Sequence, residues 1–213
     1  MHSIAHFSRL CAQNNHFMSI KIAIFGSGSG TNAENIIQYF ENSSSIEVAL
    51  VLSNKADAYI LDRARLHQIP SIVYTKPDFQ DADNLLSLLE KYNIDFVVLA
   101  GFLLQIPVEL IHRYPNKIVN IHPALLPKFG GKGMYGDRVH EAVIAAGEKS
   151  SGITIHYIDE HYDSGSVIFQ TTCDVLLSDT PQSLASRIHA LEYKYFPKVI
   201  EETICKEFKL SLG

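Results

Sequence analysis

From Ile20 onward, short apolar runs rich in β-branched residues alternate with longer stretches that are apolar on one face only. This alternation is typical of βαβ units, in which helices connect and cover the strands of a mostly parallel sheet. The pattern predicts strands at 21–25, 47–52, 71–74, 96–100 and 118–121, and helices at 32–40, 58–67, 79–92 and 107–113. The first half of the chain is therefore expected to fold as α/β.

After Ile121 the pattern becomes more mixed. A Pro- and Gly-rich loop at 122–136 precedes a predicted helix at 138–146, strands at 152–158 and 167–173, and a long helix at 181–205. No repeat or Ser/Gly linker marks a boundary. The expected fold class is α/β: a single Rossmann-like domain, with a mostly parallel twisted sheet, helices on both faces and a mixed C-terminal half.

Composition narrows the function classes. The 213 residues are 46% hydrophobic, which is enough to bury a core, and the formal net charge is −5. A non-specific nucleic-acid binder would instead carry a basic patch. Three cysteines are too few for a disulfide framework, and no stretch approaches the roughly 20 apolar residues of a membrane span. We expect a cytoplasmic protein with no nucleic-acid or membrane partner.

Residues 1–18 carry no clear periodicity, and polar residues interrupt any signal-peptide core there. We expect this segment to be a disordered or appended N-terminal arm, or the product of a start upstream of Met18. A short amphipathic helix is the alternative. The folded domain is expected to occupy 19–213.

A glycine-rich loop, Gly26-Ser-Gly-Ser-Gly-Thr-Asn32, follows the first predicted strand. Glycines allow a close backbone approach, and the following helix offers unpaired N–H groups to an anion. The third glycine of the dinucleotide fingerprint and the P-loop lysine are both missing, which favours a monophosphate. The alternative is a tight turn in which Thr31 and Glu34 form a capping box.

Asn120 and His122 stand two residues apart at the end of a predicted strand, so both point to the same side of the sheet. The carboxyl edge of an open α/β sheet is where ligands bind. Acyl transfer to an amine needs a donor for the developing oxyanion and a group that moves a proton. An amide beside an imidazole suits this chemistry, although the pair could equally cap local backbone.

Asp163-Ser-Gly165 connects the two late strands. Alone it is ordinary turn chemistry. Near a histidine, however, the carboxylate would tune the charge of the imidazole.

Together these motifs resemble the phosphoribosylglycinamide formyltransferases, a branch of the folate-dependent formyltransferase family. The resemblance rests on Ser27–Asn32, Ser53–Asp57, Leu99–Phe102, Asn120–Pro127 and Asp163–Gly165, in the order of the family. It extends from about Ile20 to Ile204. It implies an enzyme of de novo purine biosynthesis that transfers a formyl group from 10-formyltetrahydrofolate to the amine of glycinamide ribonucleotide.

The resemblance also implies roles for individual residues. Asn120, His122 and Asp163 would be catalytic. The residues that would bind the ribonucleotide are Gly28, Ser29, Gly30, Thr31, Asn32 and Glu192. The residues that would bind the folate are Leu103, Leu104, Gln105, Glu160, His161 and Tyr162. The implied small molecules are glycinamide ribonucleotide and the formyl folate, no metal is required, and the protein would be a monomer or homodimer.

Glu192 lies at the border of the apolar face of the last predicted helix, where a carboxylate is costly without a partner. The resemblance implies ribose hydroxyls as that partner; the alternative is a side chain turned to water. His156 points toward the folate region on the strand before Asp163, and a plain inward-facing strand histidine is an equal alternative.

Three departures from the family pattern concern substrate contacts. Leu103-Leu104 replaces a Met-Arg pair, His189 replaces a lysine, and the segment Lys128–Gly136 differs from the commonest pattern. Lys128 or Lys132 would meet an anionic group or be solvated. Alternatives for function are another folate-dependent formyltransferase, formyltetrahydrofolate deformylase, or a nucleotide-binding module without catalysis.

Overall fold

The computed structural model describes residues 19–210, so the expected N-terminal arm lies outside the described residues. The strands within this range are β1 (Ile20–Phe25), β2 (Ile46–Ser53), β3 (Ser71–Val73), β4 (Phe96–Leu99), β5 (Ile118–His122), β6 (Ser150–Tyr157) and β7 (Val167–Asp174). The helices are α1 (Thr31–Phe40), α2 (Ile60–Leu66), α3 (Lys76–Gln80), α4 (Ala82–Lys91), α5 (Val108–Arg113), α6 (Asp137–Ala145) and α7 (Pro181–Phe208).

The strands form one sheet in the order β3-β2-β1-β4-β5-β6-β7. β1 to β5 run parallel to one another, whereas β6 pairs antiparallel with both β5 and β7. The α/β class with a mixed C-terminal half, predicted from the alternating pattern, is confirmed.

Two apolar cores cover the two faces of the sheet because neighbouring residues of a strand point to opposite sides. Ile22 and Ile24 of β1 pack in one core with side chains of α1, α2 and α7. Ala23 and Phe25 pack in the other with side chains of α4 and α5. Helices therefore cover both faces of the sheet.

The prediction of a single helix at 79–92 is wrong in detail, because the helical conformation is interrupted at Asp81. Thr75 and Asp78 form a capping box that starts α3 earlier, before Pro77. Asp81 leaves the helical region, with φ −93° and ψ 84°, and its side chain accepts a hydrogen bond from the backbone N of Asn84. Capping by aspartate therefore outweighs continuation of the helix.

The order of the strands reverses direction at β1, which lies between β2 and β4. In open α/β sheets, the crevice outside the carboxyl ends of the strands at such a point binds ligands. The glycine-rich loop begins here. Among the described residues, no helix combines the length and apolar character needed to cross a bilayer.

Candidate active site

The glycine-rich loop turns sharply between β1 and α1. Gly30 has a φ of +71°, and a Cβ there would lie 2.7 Å from the Cα of Ile60. The loop is held from below, since Ile60 N donates to Gly28 O at 3.1 Å and Arg63 Nε donates to Ser29 O at 2.9 Å. The first N–H groups of α1 have no partner within the helix, so this terminus suits an anion.

The alternative capping box at Thr31 and Glu34 is wrong. Gly30 is the N-cap of α1, and no side chain caps this helix. The Glu34 carboxylate instead lies 2.7 Å from Nε2 of His67 and 3.5 Å from Nη1 of Arg63. Burial alone would raise the pKa of Glu34, but the hydrogen bonds from His67 and Arg63 bring it below its ordinary value. Glu34 thus braces α1 against α2.

We expect Gly30→Ala to lower the free energy of unfolding by about 2 kcal/mol or more, because the left-handed conformation alone costs an L-residue about 1–2 kcal/mol. Contact with the Ile60 backbone adds to that cost. Gly28→Ala is the matched control, since a Cβ there meets nothing within 4 Å. Urea unfolding measures both variants. Equal stability of the two would contradict the conformational requirement at Gly30.

Asn120 and His122 lie at the carboxyl end of β5. The buried His122 lies with Nε2 2.8 Å from the carbonyl oxygen of Phe129, so Nε2 carries a proton and donates it. Nδ1 then faces Asp163, 3.6 Å from Oδ2. A neutral His122 can therefore accept a proton at Nδ1, beside a carboxylate that stabilises the resulting charge.

Asp163 is held by the loop around it. Its φ is +53°, a conformation that aspartate tolerates better than most residues. The backbone N of Gly131 donates to Oδ2 at 2.8 Å. Gly165 presses on β6, where a Cβ would lie 1.8 Å from the carbonyl oxygen of Tyr157. Asp163-Ser-Gly165 therefore forms a turn and also places Asp163 near His122.

Glu192 is buried at the side of the glycine-rich loop, which excludes the alternative of a side chain turned to water. Its Oε2 accepts a hydrogen bond from Asn32 Nδ2 at 2.9 Å and lies 2.9 Å from Nδ1 of His189. The hydrogen bond to Glu192 raises the pKa of His189. Within the described residues, Oδ1 of Asn32 is buried without a hydrogen-bond partner. This corner presents acceptors suited to hydroxyl or amine donors.

The two segments expected to bind folate contact each other. Gln105 Nε2 donates a hydrogen bond to the carbonyl oxygen of Glu160 at 3.3 Å. The first segment also contacts the glycine-rich loop, because the backbone N of Leu103 donates to Ser27 Oγ at 2.9 Å. Leu104 packs on the core, and Leu103 is exposed.

Glu160 and His161 are also exposed. Tyr162 and Asp163 line an open cleft of about 390 Å³ beside Leu126, Pro127 and Gly130. Of the three catalytic candidates, Asp163 therefore lines this cleft.

Two lysines lie in the segment Lys128–Gly136, which differs from the family pattern, and their contacts are not alike. Lys128 Nζ pairs with Glu148 at 2.8 Å, and Lys132 is exposed. In the same segment, the carbonyl oxygen of Phe129 accepts the hydrogen bond from His122 Nε2. Among the described residues, no group of three or more His, Cys, Asp or Glu side chains is arranged to hold a metal ion.

A family model described as Formyl transferase matches residues 20–200. This chain belongs to the formyl transferase family. It is 42% identical over 193 residues to the chloroplastic phosphoribosylglycinamide formyltransferase of Arabidopsis thaliana, covering 88% of this chain and 66% of that protein. It is 33% identical over 189 residues to the phosphoribosylglycinamide formyltransferase of Bacillus subtilis (strain 168), covering 86% and 94% of the two chains.

The crystal structure of phosphoribosylglycinamide formyltransferase from Bacillus halodurans matches this formyl transferase with a TM-score of 0.79 at 36% identity, over 91% of this chain and 100% of that one. The chain spans only 66% and 61% of the lengths of its relatives from Arabidopsis thaliana and Vigna unguiculata. The family resemblance expected from the motifs is confirmed.

Two buried histidines of this formyl transferase were not among the predicted site residues. His156 lies 3.1 Å from Asn120 and 3.7 Å from Asp163, measured from Nε2. His140 of α6 is buried, and its Nδ1 has no hydrogen-bond partner among the described residues. Burial lowers the pKa of both. The position of His156 on the strand before Asp163 pointed to the folate region, with a plain inward-facing strand histidine as an equal alternative, and no feature of the sequence pointed to His140.

Proposed function

We propose that this protein transfers a formyl group from 10-formyltetrahydrofolate to the amine of glycinamide ribonucleotide. The observation that carries the proposal is the convergence of an amide, an imidazole and a carboxylate at one sheet edge. His122 Nδ1 lies 3.6 Å from Asp163 Oδ2, and Asn120 shares the strand end with His122. The names of the relatives support formyl transfer and phosphoribosylglycinamide as the acceptor.

The ribonucleotide binds at the glycine-rich loop in this proposal. Its phosphate accepts hydrogen bonds from the backbone of Gly30, Thr31 and Asn32, where the N-terminus of α1 favours negative charge. Its ribose hydroxyls donate to Glu192 and to the unpartnered Oδ1 of Asn32. The folate lies along Leu103–Gln105 and Glu160–Tyr162, which are joined by the Gln105 hydrogen bond.

The chemistry is direct transfer between two nitrogens. The amine attacks the formyl carbon, and an N–H of Asn120 stabilises the oxyanion of the tetrahedral intermediate. His122 accepts the proton of the attacking nitrogen at Nδ1, while Asp163 stabilises the imidazolium. The proton then passes to N10 of the folate as its bond to the formyl carbon breaks, which releases tetrahydrofolate.

Substrate omission separates this function from the alternatives. We expect the formyl folate to be consumed only when glycinamide ribonucleotide is present. Its consumption is monitored by absorbance. Equal loss without any amine would identify a deformylase, and loss that requires methionyl-tRNA would identify a different formyltransferase. Binding of the ribonucleotide without loss of the donor would identify a binding module.

We expect Glu192→Gln to raise KM for the ribonucleotide about 10- to 100-fold, since a hydrogen bond to a charged group contributes about 1.5–3 kcal/mol. KM for the folate should change little. Glu202→Gln, at an exposed position of the same helix, is the matched control. Steady-state kinetics with each substrate varied measures the effect. Equal increases in both KM values would count against a ribose role.

A cytoplasmic location also belongs to this proposal. The bacterial relatives carry no compartment in their names, whereas those of Arabidopsis thaliana and Vigna unguiculata are named chloroplastic. The proposed assembly is a monomer or a homodimer.

A further inference from the structure

His156 is a fully buried histidine whose ring meets two of the three proposed catalytic residues. It stands directly opposite Asn120 in the antiparallel pairing of β5 with β6. Side chains of residues opposite each other lie on the same face of a sheet and contact each other. The register of β6 with β7 also shifts between Ile155 and His156, and such irregularities re-aim side chains near functional sites.

The hydrogen bonds of His156 determine its tautomer. Nδ1 lies 2.8 Å from the carbonyl oxygen of Tyr157, and a carbonyl can only accept, so Nδ1 carries the proton. In the neutral ring Nε2 is then an acceptor, and it lies 3.1 Å from Nδ2 of Asn120.

Nearby titratable groups influence whether the ring of His156 stays neutral. Asp163 and Asp159 from the loop after β6, and His122 from β5, are the titratable groups that face it. Burial is the largest influence and lowers the pKa of His156 despite the two carboxylates, which preserves the acceptor at Nε2.

We propose that His156 is a positioning residue, which fixes the side-chain amide of Asn120 with its NH₂ group toward Nε2 and thereby aims the second N–H at the reacting formyl oxygen. Asn120 alone has two amide orientations that differ by exchange of oxygen and nitrogen. A neutral Nε2 stabilises only the orientation in which nitrogen faces it. The other orientation would present an oxygen to the developing oxyanion. The inference rests on the proposed function.

A pair of amide substitutions separates this role from simple packing. The amide of glutamine reaches the place of Nε2, whereas that of asparagine ends near Nδ1. We expect His156→Gln, which keeps an acceptor for Asn120, to retain kcat within about tenfold of wild type. We expect His156→Asn, which keeps only the bond to Tyr157, to lose about 100-fold, as when an oxyanion donor is lost. Melting temperatures check that both variants fold.

Equal losses in the two variants, or a more active His156→Asn, would overturn the proposal. Nitrogen NMR of the wild-type protein gives a second test, which requires neither a variant nor a substrate. We expect a protonated Nδ1 and an unprotonated Nε2 in His156, and the reverse tautomer would also overturn the proposal. Because this readout is independent of turnover, failure of formyl transfer in the wild-type protein is distinguishable from failure of the inference.

Discussion

Asp163→Asn is expected to lose about 100- to 10,000-fold in kcat, the range for loss of a group that assists acid–base catalysis. The substitution keeps the shape of the side chain, and an asparagine oxygen can still accept the hydrogen bond from the backbone of Gly131. The negative charge that faces Nδ1 of His122, and that also lies 3.7 Å from Nε2 of His156, disappears. Because that charge acts on the imidazolium of the transition state, affinity for the ribonucleotide should stay nearly unchanged.

Asp159→Asn is the matched control for this variant. Asp159 belongs to the same loop, but its carboxylate accepts a hydrogen bond from the backbone of His161. Its removal should leave kcat near the wild-type value. Single-turnover kinetics and calorimetric binding measure the two variants. If Asp163→Asn retains more than about a tenth of kcat, against the loss expected for acid–base chemistry, Asp163 is a turn residue and the proposed trio is wrong.

Asn120→Asp is expected to lower kcat at least about 100- to 1,000-fold, the cost of removing one oxyanion donor. Aspartate has nearly the same shape but cannot donate, and its negative charge would repel the developing oxyanion. KM values should change far less than kcat, since the lost interaction forms in the transition state.

The exposed turn residue Asn116 supplies the matched control as Asn116→Asp. This substitution introduces the same charge away from the strand end and should leave kcat unchanged. A loss in Asn120→Asp that appears entirely as weaker ribonucleotide binding would contradict the oxyanion role.

Local patterns predicted much of this molecule. Strand periodicity was sufficient to put Asn120 and His122 at one sheet edge, because alternate residues of a strand share a side. Glycine chemistry was sufficient to mark the loop before α1, where Gly30 adopts a positive φ. In both cases the decisive physics acts between residues close in sequence.

Contacts between distant residues were not predictable in the same way. The hydrogen bond from Asn32 to Glu192 spans 160 positions, and the pairing of His156 with Asn120 depends on which strand lies beside β5. Glu34 fits the local capping pattern, yet it pairs with His67 of the turn after α2. Each of these contacts follows from the packing of whole elements, which local periodicity does not encode.

The most direct test of formyl transfer traces the formyl carbon itself. The purified protein is mixed with glycinamide ribonucleotide and 10-formyltetrahydrofolate that carries ¹³C in its formyl group, and the products are analysed by mass spectrometry. Direct transfer predicts that the label appears in formylated ribonucleotide, in amounts equal to the tetrahydrofolate released. Label recovered as free formate, with the ribonucleotide unmodified, would contradict the proposed function.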